Sequence, residues 1–316
     1  MQISKKSSLL FLTFLFFYLG SFIAEAAEIK VQGLENGIRQ GDLALVTVES
    51  ASILDYLTGK LEGKKFIFQS NGAKRHSALI GIPMDKKPGE YSIFLRGKGE
   101  DTNIIKTVRF EIKKRDYNIE RLSLPRKMVE PGEELLKRIR RDNVAIFKAK
   151  KTVSKERFWK GEFIKPVKGE IANNFGARRI LNGVDKKPHS GNDIRARKGS
   201  EIKSPNDGRI IYIDETYYGG NTVIIDHGQG LSTLYMHLSK ILVGHGERVR
   251  KGQTIGLVGS TGRSTGPHLH WGAYFDGFKV DPASLLALDI KGPSSDASLA
   301  SDKKGYHDSG RLGGSD

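Results

Sequence analysis

The sequence predicts a mainly β protein in three parts. A small N-terminal antiparallel β-sandwich of the immunoglobulin-like kind leads through a helical basic connector to a C-terminal glycine-rich antiparallel β-sheet domain. Three observations carry that prediction. Apolar and polar residues alternate in short runs between Glu28 and Ile112, turn residues separate those runs, and 37 of the 316 residues are glycine without a repeat period. At roughly 150 residues per domain this length holds about two folded units. Hydrophobic residues at 38% and charged residues at 28% suit a globular chain rather than a disordered one.

The first stretch is an address. Lys5 and Lys6 precede an apolar run from Leu9 to Leu19, and Ala24-Glu25-Ala26 supplies small residues for cleavage, so residues 1–26 read as a secretory signal peptide. The run is shorter than the ~20 residues a bilayer requires, which leaves no stable membrane span once the signal is cleaved. A retained anchor extending to Ile23 is the alternative. Residues 27–115 form the sandwich. Ala44, Val46 and Val48 alternate in one run, Tyr91, Ile93 and Leu95 in another, and Val108, Phe110 and Ile112 in a third. Asn36-Gly37, Gln40-Gly41, Asn71-Gly72 and Pro88-Gly89 supply turns. His76, beside Lys74 and Arg75, reads as part of a solvated loop.

Residues 116–160 form the connector. Glu133 and Glu134 open a helical stretch, basic residues follow, and that order complements the helix dipole. Leu135, Leu136, Ile139, Ile146 and Phe147 supply an apolar stripe expected to pack on a neighbouring domain. Residues 161–290 are the glycine-punctuated β domain. Residues 291–316, with His307, are Ser-, Asp-, Gly- and Lys-rich and read as a disordered tail.

Charge and cysteine usage limit the functions. The net charge of +16 favours an anionic partner, and among anions export argues for a carboxylate- and phosphate-rich cell envelope over nucleic acid. Without cysteine there are no disulfides, thiolate zinc fingers, iron–sulfur clusters or cysteine nucleophiles, so any metal is held by histidine and carboxylate. Candidates for that role cluster in the glycine-rich domain. In Gly266-Pro-His-Leu-His-Trp-Gly-Ala-Tyr274 the alternation indicates a strand, and His268 and His270 then project from one face. That geometry suits a shared metal, or one ligand beside one base. His189 lies on a loop and Asp193 at the start of a strand, spaced so that both can reach one ion. With one further histidine they would make a two-nitrogen, one-oxygen set for Zn²⁺, leaving a fourth position to a water that zinc acidifies. His237, in Leu231-Ser-Thr-Leu-Tyr-Met-His-Leu238, lies on another strand and adds an imidazole to that face. His227 and His245 receive no role. The loop Gly259–Gly266 lacks the Gly-Lys-Ser/Thr of a nucleotide loop and reads as a wall beside the active site.

In order and context, His189-x-x-x-Asp193, Leu234-Tyr-Met-His237 and His268-Leu-His270 resemble the motifs of the M23 (lysostaphin/LytM-type) zinc metallopeptidases. Phe175-Gly176, Gly220-Asn221, Gly252-Gln253, Gly266-Pro267 and Val280-Asp281-Pro282 resemble the family's glycine framework and closing segment. The resemblance covers about Phe163 to Leu288, and the sandwich with its connector resembles the accessory region of secreted bacterial members. It implies one Zn²⁺ per chain on His189, Asp193 and His270, with His237 and His268 as general base and intermediate stabiliser in either order. It implies an exported endopeptidase that hydrolyses cross-links or stem peptides of bacterial peptidoglycan with zinc-activated water, and it admits an envelope protein activator as a partner. A Gram-negative periplasm is the expected location. The alternative is a non-catalytic envelope scaffold, or an activator of other wall hydrolases, on the same fold. Arg178 and Arg179 stand where members often carry arginine, positions suited to steering an anionic substrate or to a structural role. After His270, Trp271-Gly272 replaces the aromatic–glutamate pair of many members.

Overall fold

A computed structural model describes residues 29–288, apart from 101, 124, 152 and 153. The expected signal at 1–26 and the tail at 291–316, with His307, lie outside the described residues. The described chain is mainly β, as expected. Its first eight strands are β1 (Ile29–Gln32), β2 (Ile38–Arg39), β3 (Leu43–Ser50), β4 (Tyr56–Leu61), β5 (Lys64–Ser70), β6 (Arg75–Gly81), β7 (Gly89–Gly99) and β8 (Thr102–Lys113). They are hydrogen-bonded in the order β1-β3-β6-β5-β4-β7-β8-β2. Strand β5 bonds β4 along Lys64–Phe68 and then β6 at Gln69 and Ser70, so it turns the corner between two halves. One apolar core lies between those halves, with Val46 and Val48 of β3 meeting Leu57 of β4, Ile93 and Leu95 of β7 and Ile112 of β8. Each such fully buried aliphatic side chain contributes roughly 1.5–3 kcal/mol. The pairing is antiparallel except for β2 on β8.

His76 departs from the expected solvated loop. It sits within β6, opposite Val48 and Ser70, and is buried. Strand parity puts it on the face of Ala78 and Ile80, which line the core, while Lys74, just before the strand, is exposed and Arg75 is half-buried.

After the sandwich come β9 (Ile119–Leu122), a short helix α1 (Arg126–Val129) and the long helix α2 (Glu133–Lys150). The dipole argument holds for α2: Glu133 and Glu134 occupy its first turn, Lys148 and Lys150 its last. Its packed face differs from the expected stripe. Ile139, Asp142 and Ala149 are buried and Ala145 and Ile146 pack beside them, whereas Leu135, Leu136 and Phe147 are exposed. The buried set recurs at three to four residues, as a packed face requires. Asp142 is tolerated there because its carboxylate accepts from the Tyr217 backbone N–H at 2.8 Å.

The remaining strands are β10 (Arg178–Leu181), β11 (Val184–Lys186), β12 (Gly191–Arg195), β13 (Glu201–Lys203), β14 (Gly208–Thr216), β15 (Gly220–Gly228), β16 (Leu231–Ile241), β17 (Arg248–Val249), β18 (Thr254–Val258), β19 (His268–Phe275) and β20 (Phe278–Val280). A nine-stranded sheet runs β12-β19-β16-β15-β14-β17, with β13, β18 and β20 branching from it. One face carries Val223, Ile225, Tyr235, Leu269, Trp271 and Ala273 and is closed by Trp159 and Phe163. The opposite face carries Ile224, Leu234 and Tyr274, and α2 packs on it through Ala149. A separate three-stranded sheet, β11-β10-β9, ties the connector to the edge of this region.

The two large sheets meet across a buried charge network. Arg115 donates to Asp42 at 2.8 Å and to Asp281 at 2.6 Å. Asp281 in turn accepts from Asn192 at 2.7 Å, and its N–H donates to the Gly41 carbonyl. Gly41 has φ of +84°, and a Cβ there would lie 2.6 Å from the Phe175 ring, so glycine is required where the sheets touch. Among the described residues no helix is long and apolar enough to cross a membrane.

Candidate metal and catalytic site

Strand register assembles the site. In the antiparallel pair β12–β19, Asp193 lies directly opposite His270 and Arg195 opposite His268. Directly opposed side chains share a face about 5 Å apart, so these four groups project together. The face is the one on which α2 packs. Asp193 is the central residue of β12 rather than its start, because hydrogen bonding begins at Gly191. His189 lies on the preceding loop, as expected. Gly191 lets that loop close onto β19, since a Cβ there would sit 2.3 Å from the Trp271 carbonyl oxygen.

His237 reaches the same face by a different route. In a regular strand it would point with Tyr235 into the core. It instead takes φ of +68°, its N–H donates to the Gly219 carbonyl at 2.7 Å, and the next residue, Leu238, fills the core. This local break in β16 turns His237 to within 4.7 Å of the His268 ring. A non-glycine residue in that conformation costs on the order of 1–3 kcal/mol, which the surrounding contacts must offset.

Three donor atoms converge. His189 Nε2 lies 2.9 Å from His270 Nδ1 and 3.3 Å from Asp193 Oδ1, and His270 Nδ1 lies 3.0 Å from Asp193 Oδ1. A tetrahedral ion with ligand bonds of about 2.0–2.1 Å needs donors about 3.3 Å apart, so these separations come within a few tenths of an ångström of a Zn²⁺ set. His189, Asp193 and His270 could therefore hold a metal ion. The backbone supports the ligand tautomers. His189 Nδ1 lies 3.2 Å from the Asn174 carbonyl and donates to it, which leaves Nε2 to face the ion. His270 offers Nδ1 to the same point, and its Nε2 lies 3.4 Å from Ser190 Oγ, so a serine stands behind the ring.

His237 and His268 are also oriented by carbonyls, Nδ1 to Thr261 O and Nδ1 to Gly266 O, each at 2.8 Å. Each Nδ1–H donates to its carbonyl, which turns Nε2 toward the cleft. Burial, followed by the neighbouring His270 and His268, pushes His237 down to about 3, so it is neutral at pH 7. Burial likewise pushes His270 down to about 4. Burial works to raise Asp193, but hydrogen bonds from His189 and His270 outweigh it and hold the carboxyl well below the usual range.

These groups floor a cleft of about 1020 Å³ walled by β9, β10 and the loop ending at Pro267. Five arginines line it (Arg121, Arg179, Arg195, Arg197 and Arg263) against two carboxylates, Glu120 and Asp193. Arg178 is not among them: it pairs with Asp185 at the surface. Arg179 turns inward, to Glu120 at 2.9 Å and Asp193 at 3.5 Å.

Comparison with known proteins agrees with this geometry. The profile described as Peptidase family M23 matches residues 187–282. A crystal structure from Pseudomonas aeruginosa, titled as an M23 peptidase, is 31% identical, covers 79% of this chain and 96% of its own, and superposes with a TM-score of 0.60. The chain belongs to peptidase family M23. Among curated M23 relatives, the peptidoglycan DD-endopeptidase ShyA of Vibrio cholerae is 46% identical over 106 residues, covering 33% of this chain and 24% of that protein. The DD-carboxypeptidase/endopeptidase Mpg of Neisseria gonorrhoeae is 45% identical over 97 residues, 31% of this chain and 22% of its own. This chain thus spans about a quarter of the length of those curated relatives.

Of the five residues singled out in the sequence, Asp193, His237, His268 and His270 line the cleft, and the buried His189 joins them through Nε2, 2.9 Å from His270 Nδ1. His227 does not. It is fully buried between the Asp207 carbonyl and Thr233 Oγ1, each at 2.8 Å, and burial pushes it down to about 4. His245 is exposed in a turn. Sequence reasoning missed Asn174, Glu120 and Arg263. Asn174 touches both His189 and Asp193, through its carbonyl and its side chain. No spacing rule marks such a residue.

Proposed function

We propose that this chain is an exported zinc metallo-endopeptidase that hydrolyses cross-links or stem peptides of bacterial peptidoglycan. The observation that carries the reading is the convergence of His189 Nε2, Asp193 Oδ1 and His270 Nδ1 to 2.9–3.3 Å in an arginine-lined cleft beside two further imidazoles. The names of the curated relatives supply the substrate class. In this reading residues 27–115 and 116–160 are an accessory module and its connector, 161–290 the hydrolase, and the cell envelope of a Gram-negative bacterium the location.

His189, Asp193 and His270 would hold the ion. Zinc held there supplies Lewis acidity to the scissile carbonyl and acidifies a water molecule at neutral pH. The protein's own groups do the rest. His237 and His268, each held by a backbone carbonyl at Nδ1 with Nε2 toward the cleft, divide two roles: one takes a proton from the attacking water at Nε2 and returns it to the leaving amine, and the other, when it carries a proton at Nε2, donates to the developing oxyanion. The carboxylate-bearing stem peptide is drawn in by Arg195, Arg197 and Arg263, which give the cleft its positive field.

The test is digestion of purified sacculi, with mass spectrometry of the released muropeptides and metal analysis of the protein. The expected result is one zinc per chain and peptide-bond cleavage abolished by EDTA and restored by Zn²⁺. A folded chain that binds zinc yet releases no fragment, while raising the output of another wall hydrolase, would instead identify an activator.

A further inference from the structure

Asp193 has two carboxylate oxygens with separate duties. Oδ1 faces His189 and His270, at 3.3 and 3.0 Å. Oδ2 faces away from them, to Asn174 Nδ2 at 3.1 Å and Arg179 Nη2 at 3.5 Å. Those two donors have one other partner in common. Glu120 accepts from Asn174 Nδ2 through Oε1 at 2.8 Å and from Arg179 Nε through Oε2 at 2.9 Å. Each donor is closer to Glu120 than to Asp193, so Glu120 is the stronger anchor. The strand β9 that carries it lies parallel to β10, with Glu120 opposite Arg179. Glu120, Asn174 and Arg179 all precede residue 187, where the family match begins.

We infer that Glu120 is a positioning residue for the metal site, supplied by the connector and acting on Asp193 through Asn174 and Arg179. The inference rests on the proposed reading of Asp193 as a zinc ligand. Two physical effects act in the same direction. By holding both donors, Glu120 keeps the Asp193 carboxylate rotated so that Oδ1 alone meets the histidines. By pairing with Arg179, it offsets a guanidinium charge that would otherwise lie beside a divalent cation: Asp193, Arg179 and Glu120 together carry one net negative charge, and none once Glu120 is removed. The side chains of Glu120, Arg179 and Asp193 are each 22% exposed, so solvent screens this arrangement only in part.

The experiment is zinc affinity of the full chain by chelator competition, beside thermal unfolding of the metal-free protein. Outer partners of metal ligands are typically worth 10–100-fold in affinity, so Glu120→Ala is expected to weaken zinc binding by about 10-fold or more. Glu120→Gln, which preserves shape and an acceptor but not charge, is expected to weaken it less, with metal-free unfolding unchanged. Arg178→Ala, on the same strand as Arg179 but paired outward with Asp185, serves as the control and is expected to bind zinc like the parent. Unaltered affinity in both Glu120 variants would overturn the inference while leaving the proposed function intact. A parent chain that binds no zinc would overturn the proposed function, and this inference with it.

Discussion

The two large sheets of this protein bury similar apolar cores and treat polar groups differently. In the N-terminal sheet the one buried imidazole, His76, has no hydrogen-bond partner for Nδ1 among the described residues, and burial lowers its pKa. In the C-terminal region the buried imidazoles of His189, His227, His237 and His270 are all anchored, His227 and His237 by backbone carbonyls at 2.8 Å, His189 by one at 3.2 Å and His270 by Ser190 Oγ at 3.4 Å. A solitary neutral histidine fills space. Several histidines whose protonated nitrogens are assigned by carbonyls, and whose free nitrogens converge, constitute a site. Left-handed non-glycine residues occur in turns and loops of both regions, but among the described residues only His237 adopts that conformation inside a strand, the one that serves the cleft.

That contrast can be broken most severely at the proposed metal ligands. His189→Ala, Asp193→Ala or His270→Ala is expected to lose zinc and hydrolysis together, read by metal analysis and muropeptide release, while His76→Ala retains both. If the His237 variant lost zinc, the ligand assignment would be wrong. Next in size is the joint between the sheets. Arg115→Ala leaves Asp281 buried without its ion pair, held among the described residues only by Asn192 and the Ala283 N–H, and leaves Asp42 with Arg39 alone; breaking a buried pair typically costs about 3–5 kcal/mol. Denaturant unfolding measures it, and a cost under about 1 kcal/mol, the value of an exposed pair, would mean that the sheets are not coupled through Arg115. Third come the non-ligand histidines. His237→Ala and His268→Ala should retain zinc and slow turnover by about 10²-fold or more, the usual range for a general base.

The effect that is smallest near neutral pH is a pH dependence. His227 titrates near 6.5 in the unfolded chain and about 4 when folded, because burial disfavours its charged form. As pH falls below 6.5 the unfolded state takes up the proton first, so folding stability is lost between pH 6.5 and 4 at up to roughly 1.4 kcal/mol per unit. Above 6.5 the group contributes no slope. Equilibrium unfolding in chelator, comparing the parent with His227→Gln, isolates this residue, and equal slopes for the two would show that His227 titrates normally in the fold.

Much of this was legible in the sequence because periodicity reports local geometry. The alternation of Val46 and Val48, of Ile93 and Leu95, and of His268 and His270 follows from a two-residue strand period, and the charge order of α2 follows from its dipole. The face that α2 buries was legible only in part: Ile139 and Ile146 of the expected stripe are covered, and Leu135, Leu136 and Phe147 are not. Leu135 and Phe147 are as apolar as Ile139, and only the position of the sheet decided that Ala149 and Asp142 would be covered instead. His76 was misread for the same reason: its basic neighbours indicated solvent, while strand parity sent it inward.

The sequence by itself determined the chemical inventory: no sulfur ligands, histidines and a carboxylate at separated positions in a glycine-rich β domain, and an excess of positive charge. Those are properties of composition and short spacing, and survive whatever the chain does at long range. Tertiary structure alone decided that Asp193 faces His270 across two strands, that a break in β16 turns His237 out of the core, and that Glu120 reaches the site from the connector. Each depends on strand register or on the meeting of distant segments, and a shift of one residue would reverse which face every side chain occupies.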